Sequence, residues 1–152
     1  MSSIPSLPDQ GMCPFGKDIT VALFVKMILS STEAVPLPAG FVYDACEPYS
    51  VRLEFPRPDG DDVTRWVFAR ELLGAGLRRR VGEGDIRIWP PCRCCGRVDI
   101  RLLLCGTTGS ALVAVPRRPL QEWLERTWEA VPPGKESALI DWDSAFQGLF
   151  PQ

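Results

Sequence analysis

The sequence contains no histidine. Histidine is the side chain that most often transfers protons near neutral pH, and it is a common zinc ligand. Its absence excludes every catalytic triad or dyad in which this chain would supply an imidazole base, and it excludes histidine-based metal sites. The other ionisable side chains are scattered along the sequence. We therefore predict a protein that is not an enzyme, holds no cofactor and acts by contact with other molecules.

An excess of basic charge is also absent. The chain has 17 Lys and Arg against 19 Asp and Glu, which gives a formal net charge of −2. Proteins that bind nucleic acids obtain much of their affinity by neutralising phosphates and usually carry a basic imbalance. The composition therefore argues against a nucleic-acid partner, although it allows a local basic patch.

Long hydrophobic runs are missing as well. The longest one, from Ile19 to Leu29, is interrupted by polar residues and is far too short to span a membrane. Residues 1–16 are polar and lack the basic start and apolar core of a signal peptide. We predict a cytoplasmic protein without membrane insertion, with a flexible tail over residues 1–16 and one folded domain over residues 17–152.

The spacing of apolar residues predicts six or seven β-strands, mostly joined by hairpins. Alternation marks a long strand from Lys17 to Ser31, and Pro36, Pro38 and Gly40 indicate a break after it. The remaining predicted strands cover residues 41–44, 50–55, 64–68, 85–89, 97–104 and 110–115.

Three helices are predicted from 3.6-residue periodicity and from capping residues. A short one covers Ala69–Leu77, and an amphipathic one begins near Pro119 and ends at Pro132. A last short helix begins at Asp143 and runs to about Phe150. Strands in runs, followed by clustered helices, are typical of an α+β fold, here an antiparallel, barrel-like β-sheet with packed helices.

Three stretches of the chain form recognisable motifs. They are VPLPAGFVYD at 35–44, WVFARELL at 66–73 and GEGDIRIWP at 82–90. They resemble the SsgA-like sporulation and cell-division proteins of actinomycetes, and the resemblance extends over about residues 17–150. Three glycines in or just after these motifs, Gly76, Gly82 and Gly84, are predicted to lie at turns that need positive φ.

The resemblance implies a function that composition alone does not. SsgA-like proteins regulate septum placement, cell-wall remodelling and sporulation, and one member helps to recruit the tubulin-like division protein FtsZ. The expected partners are therefore other copies of the chain, FtsZ and related SsgA-like proteins, with no small-molecule substrate. The resemblance also implies a homotrimer, recruitment to division septa and a subunit similar to Whirly-type single-strand nucleic-acid-binding proteins.

Asp44, Arg70 and Asp85 are the charged residues that stand out in these motifs. The simpler interpretation is a buried Arg–Asp pair whose members satisfy one another. The functional interpretation is contact with a partner, and on that interpretation the candidate partner-binding residues are Asp44, Arg70, Arg78, Arg79, Arg80 and Asp85.

Further arginines lie close behind this run. Arg87, Arg93, Arg97 and Arg101 could share a surface with Arg78, Arg79 and Arg80. A solvated sheet face is one explanation. Binding of single-stranded nucleic acid is the other, and it would require an aromatic stacking platform that the sequence does not obviously supply.

The segment Cys92-Arg93-Cys94-Cys95-Gly96 suggests one more alternative. Cys92 and Cys95 have the C-x-x-C spacing of a zinc knuckle or a redox pair. A closed zinc site needs two further ligands, and the sequence has no second C-x-x-C. A zinc- or thiol-dependent site at this loop therefore stays a secondary hypothesis, and no metal site is predicted.

Overall fold

The computed structural model of the chain describes residues 18–57, 62–94 and 96–139. Its elements follow one another as β1 Ile19–Ile28, β2 Ala34–Tyr43, β3 Ser50–Pro56, β4 Val63–Ala69, α1 Arg70–Gly76, β5 Val81–Glu83, β6 Ile86–Trp89, β7 Asp99–Gly106, β8 Gly109–Pro116, α2 Arg117–Ala130 and a 3-10 helix Glu136–Leu139. The predicted N-terminal tail and the helix predicted from Asp143 to Phe150 lie outside the described residues.

The eight strands form one antiparallel sheet in the order β4-β3-β2-β1-β8-β7-β6-β5. Two four-stranded meanders are thus joined side by side through β1 and β8, and α1 connects the two edge strands, β4 and β5. The sheet curls into an open half-barrel, and two helices complete the α+β fold. The predicted α+β fold is confirmed, with eight strands instead of six or seven. The additional strand is β5, which is only three residues long, and the strand predicted at 41–44 is extended towards its N-terminus as β2.

The predicted break at Pro36, Pro38 and Gly40 is wrong, because all three residues lie within β2. In the register of the sheet, Pro36 lies opposite Lys26 and Pro38 opposite Phe24 of β1. On its other side, β2 pairs with β3 only from Gly40 to Val42. Both prolines therefore lie where no third strand requires their missing N–H groups, which is the position in which a sheet tolerates proline.

The core lies on the inner face of the sheet, under the helices. Alternation in β1 places Val25 in the core and turns Phe24 to the other face, where 68% of Phe24 is exposed. From α2, Trp123 packs its ring against Phe41 of β2, with 5.5 Å between the ring centroids. Burial of such side chains stabilises the fold by about 1.5–3 kcal/mol each.

Helix α2 also completes the hydrogen bonding of β1. β8 pairs with β1 only from Lys26 to Ile28, which leaves the first half of β1 without a strand on that side. There the indole Nε1 of Trp123 donates to the carbonyl of Ile19 at 2.9 Å, and Nη2 of Arg126 donates to the carbonyl of Thr20 at 3.0 Å. The helix thus provides donors to two backbone carbonyls at the start of β1 and ties itself to that strand.

Of the three motif glycines, only Gly84 has positive φ, at 61°. Gly76 lies in the last turn of α1, and a Cβ there would be 2.3 Å from Cγ2 of Ile88 in β6. Gly82 lies within β5. The prediction of positive φ is wrong for Gly76 and Gly82; at Gly76 the requirement is a close approach between helix and strand, which leaves no room for a side chain.

Candidate functional site

Arg70 is buried at the junction of α1, β2 and the end of α2, with 1% of its surface exposed. Its Nη1 donates to the carbonyl oxygen of Thr127 at 3.0 Å, and its Nη2 donates to Oε2 of Glu136 at 2.9 Å. The guanidinium carbon lies 4.7 Å from the centre of the Tyr43 ring, which is a cation–π geometry. Arg70 therefore holds together segments that are far apart in the sequence.

Glu136 carries the opposite charge in this network. Burial opposes the charged form of its carboxyl, but the hydrogen bond from Arg70 and those from backbone N–H groups, including that of Gly134, favour the charged form. Together they hold the pKa of Glu136 below its usual value of 4.5. Beside them, burial raises the pKa of Tyr43, and the Arg70 charge works against that rise. The arrangement is that of a structural ion pair, with both charged partners hydrogen-bonded.

The predicted Arg–Asp pair is wrong, because the partner of Arg70 is Glu136. Asp44 instead accepts a hydrogen bond from the backbone N–H of Cys46 at 2.9 Å and so shapes the loop that follows β2. Asp85 is exposed in the turn between β5 and β6. Arg70 and Asp44 therefore stabilise the fold through hydrogen bonds within the chain, whereas Asp85 is exposed on the surface.

The three consecutive arginines after α1 are exposed and diverge. Arg78 lines a cleft at the end of the sheet where α2 begins. Arg79 lines a different groove, next to Glu71 and Glu83. Arg80 lines neither. Among the arginines predicted to share a surface with them, Arg93 and Arg97 join Arg78 in the cleft, whereas Arg101 lines a separate groove between β7 and the β1–β2 turn.

An apolar groove on the outer face of the sheet is a feature that sequence reasoning missed. It has a volume of about 420 Å³ and is lined mainly by apolar residues of β1, β2, β3 and β4, namely Ala22, Phe24, Pro38, Gly40, Pro56 and Val63. Glu54 is the charged residue of the lining, and it is paired with Arg65 at 2.9 Å and with Arg52 at 3.2 Å. The sequence signal was present in Ala22 and Phe24, the apolar residues on the second face of β1.

The cysteine loop is described only in part. Cys92 and Arg97 exchange two backbone hydrogen bonds of 2.9 Å, which close the segment into a tight hairpin. Cys95 lies outside the described residues, so the C-x-x-C pairing stays untested. In the part of the chain that the structure describes, no three Cys, Asp or Glu residues are grouped so as to hold a metal ion.

Comparison with known proteins gives a consistent result. Residues 37–136 match the family model described as Streptomyces sporulation and cell division protein, SsgA. The chain belongs to the SsgA family. It is 39% identical over 125 residues to the sporulation-specific cell division protein SsgB of Streptomyces coelicolor. The aligned region covers 82% of this chain and 90% of that protein.

Solved structures of the SsgA family share the fold. A structure of an SsgA-like sporulation-specific cell division protein from Thermobifida fusca has a TM-score of 0.76 and 37% identity, and covers 91% of this chain and all of that one. A second, reported with SsgB mutations that correlate to longitudinal cell division during sporulation of Streptomyces coelicolor, has a TM-score of 0.74 and 38% identity over 82% of this chain and 96% of that one.

The region that matches the SsgA family includes Arg70 and Glu136, as well as most of the residues that line the outer groove.

Neither of the two α-helices in the described residues has the length and hydropathy that a membrane-spanning helix needs.

Proposed function

We propose that this chain is a non-enzymatic regulator of cell division that acts by binding proteins during sporulation-type septation. Relatives over most of its length are named sporulation-specific cell division proteins. The observation that carries the binding role is the exposed apolar groove on the outer face of the sheet. A sheet face that meets only water usually carries polar side chains, and a contiguous apolar patch indicates a surface that another protein covers.

A second copy of the chain is the occupant proposed for this groove. The charges beside it are balanced, because Arg52 pairs with both Glu54 and Asp18, and Arg65 pairs with Glu54. The rim therefore does not repel a second copy of the chain, and in a closed trimer the groove of each copy meets a different surface of the next copy. The proposed assembly is the homotrimer that the SsgA-like resemblance implies.

Light scattering after size exclusion tests this assembly. The wild-type chain should have the mass of a trimer, and Phe24→Glu should shift it to a monomer because a charge is placed in the apolar groove. Leu29→Glu is the matched control, since Leu29 is also an exposed apolar residue but lies outside the groove. A monomeric wild type, or equal effects of the two variants, would rule out the outer face as the interface.

FtsZ or a related SsgA-like protein is the proposed division partner, and the proposed location is the cytoplasm, with recruitment to septa. Co-sedimentation with polymerised FtsZ tests the partner directly: the chain should pellet with polymer and stay in solution without it. Failure to pellet, together with failure to bind any related SsgA-like protein, would remove the support for a regulator that acts by protein contact.

Single-stranded nucleic acid is the alternative partner that a Whirly-type subunit would imply. It receives little support from the described surface, because the cleft lined by Arg78, Arg93 and Arg97 has no aromatic side chain in its lining. The Whirly likeness itself stays a prediction.

A further inference from the structure

Five arginines line one cleft at the end of the sheet where α2 begins. They are Arg78, Arg93, Arg97, Arg117 and Arg118, contributed by the segment after α1, the hairpin after β6 and the first turn of α2. The cleft has a volume of about 550 Å³, and none of the described residues that line it is acidic. Within the described residues, none of the five is in an ion pair. In a chain whose net charge is −2, this is a local concentration of positive charge, and the acids Glu122 and Glu125 lie in an adjoining groove that Arg117 and Arg118 also line.

The start of α2 adds to this positive potential. Arg117 and Arg118 occupy the first helical turn, which contains no acidic residue, and Pro116 at the N-cap supplies no capping side chain. Cations at a helix N-terminus oppose the helix dipole and weaken the helix. An anion in the cleft would offset this penalty, because it would lie beside the two arginines at the start of the helix.

Arg97 shows that part of the cleft is already ordered. Its Nη2 donates to the carbonyl of Pro90 at 3.0 Å, and the hairpin closed by Cys92 and Arg97 fixes its backbone. Its Nε is buried and has no hydrogen-bond partner within the ranges that the structure describes. A buried donor without an acceptor is costly, so the guanidinium is held in place at the expense of one unsatisfied N–H group.

The rest of the lining is apolar, which narrows the chemistry of the ligand. Leu77, Pro90, Pro91 and Val98 share the cleft with the arginines, and 72% of Val98 is exposed. Inorganic phosphate would use the charges and leave this apolar surface in water. A nucleic-acid strand would use the charges but would find no aromatic side chain, among the residues described for this cleft, on which to stack a base. A peptide that alternates carboxylates with an apolar side chain satisfies both parts.

We propose that this arginine cleft binds an acidic, leucine-containing peptide segment of a division partner. The inference rests on the proposed function and names the site and the chemistry through which that function is exercised. The arginines recognise the carboxylates, and the patch formed by Leu77, Pro91 and Val98 receives the apolar side chain. The outer groove remains available for a second copy of the chain, because the two surfaces share no lining residue.

Fluorescence anisotropy with a short labelled peptide, rich in Asp and Glu and carrying one leucine, tests the proposal on the full-length chain. Arg78→Glu and Arg118→Glu should each weaken binding by about tenfold or more, because each removes a charge-assisted contact and adds a repulsive charge. Arg80→Glu is the matched control: it makes the same charge change two residues from Arg78, at an exposed position outside the cleft, and should change the affinity less than about twofold.

Three probes separate the possible ligands. The same peptide with Asn and Gln in place of the acids should bind at least about tenfold more weakly. Stronger binding of single-stranded DNA of equal charge, weakened by Arg78→Glu and Arg118→Glu, would overturn the proposal in favour of nucleic acid. Full competition by inorganic phosphate at the peptide's own concentration would reduce the cleft to a small-anion site. If no peptide binds while the chain still pellets with FtsZ, the cleft assignment fails and the proposed function stands.

Discussion

Arg70 is the residue on which three separated parts of the chain depend. It connects α1 to the last turn of α2 through Thr127 and to the 3-10 helix through Glu136, and it lies against Tyr43 of β2. The motif around Arg70 marked this residue in the sequence, but its partner could not be predicted, because Glu136 lies 66 residues further along the chain. No local pattern encodes a pairing of that separation, and only the packing of α2 brings the two side chains together.

The first prediction concerns the pH dependence of stability. The pKa of Glu136 is lower in the folded state than its usual 4.5, so its charge stabilises the fold fully above that value. The stabilisation is lost as the pH falls through the folded-state pKa. Glu136→Gln should reduce the free energy of unfolding by about 3 kcal/mol at pH 7, since it leaves the buried Arg70 charge without an opposite charge.

Urea denaturation of wild type and Glu136→Gln, at several pH values, measures this difference. The difference in the free energy of unfolding between the two proteins should become smaller as the pH falls below about 4.5, because the wild type then loses the negative charge of Glu136. Glu129→Gln, at an exposed position near the end of α2, is the control and should leave stability nearly unchanged. A gap that stays constant with pH would show that the ion pair is not the cause.

Gly76 gives a second residue-scale prediction. A methyl group at this position would overlap Ile88, so Gly76→Ala should lower the free energy of unfolding by about 1–3 kcal/mol as α1 is forced away from β6. Combined with Ile88→Ala, the loss should be smaller than the sum of the two single losses, because the second change removes Cγ2 and Cδ1 of Ile88 and leaves only Cβ close to the added methyl group. Gly106→Ala is the control, because a Cβ added at Gly106 would lie 3.5 Å from its nearest neighbour, the carbonyl oxygen of Gly109, which is an ordinary contact distance. Strict additivity in the double variant would contradict this account.

At the scale of elements, the sequence was sufficient wherever burial alone decided the outcome. The inner residues of β1, the amphipathic face of α2 and the short helix after Phe68 followed from periodicity, because one face of each element meets the core. β2 could not be predicted in full. Its prolines are compatible with a strand only because β3 ends its pairing at Gly40, and that depends on the register between three strands.

A third prediction tests the role of α2 in completing β1. Trp123→Phe keeps an aromatic ring against Phe41 but removes the N–H group that donates to Ile19, so the free energy of unfolding should fall by about 1–3 kcal/mol. Amide exchange in the first half of β1 should also accelerate. Trp128→Phe is the matched control, since the Trp128 indole makes no hydrogen bond within the described residues. Equal losses in the two variants would assign the effect to ring volume instead of the hydrogen bond.

At the scale of the whole molecule, we propose that assembly uses the outer groove and recognition uses the arginine cleft, two surfaces that share no lining residue. The cleft is assembled from three segments separated in the sequence, with Arg78, Arg93 and Arg118 as representatives. The consecutive arginines pointed to this region, but the sequence could not show that Arg78 enters the cleft while Arg79 and Arg80 do not. That division follows from the direction in which the chain leaves α1.

The separation of the two surfaces leads to a last prediction, which concerns avidity. A trimer presents three clefts, so it should dissociate from a densely coated acidic-peptide surface much more slowly than a single cleft does, with a gain of about a hundredfold in apparent affinity. Phe24→Glu should lose that gain, because it removes the assembly, and yet bind the free peptide as the wild type does. Arg118→Glu should weaken both kinds of binding.

Surface plasmon resonance at high and low peptide density, set beside anisotropy in solution, measures the three responses. At low density, where one trimer cannot reach two peptides, wild type and Phe24→Glu should dissociate at similar rates, which separates loss of avidity from damage to the cleft. Equal dissociation of these two proteins from the dense surface would mean that assembly through the outer groove does not multiply the contacts made by the cleft. Loss of solution binding in Phe24→Glu would mean instead that the two surfaces are physically coupled through the sheet.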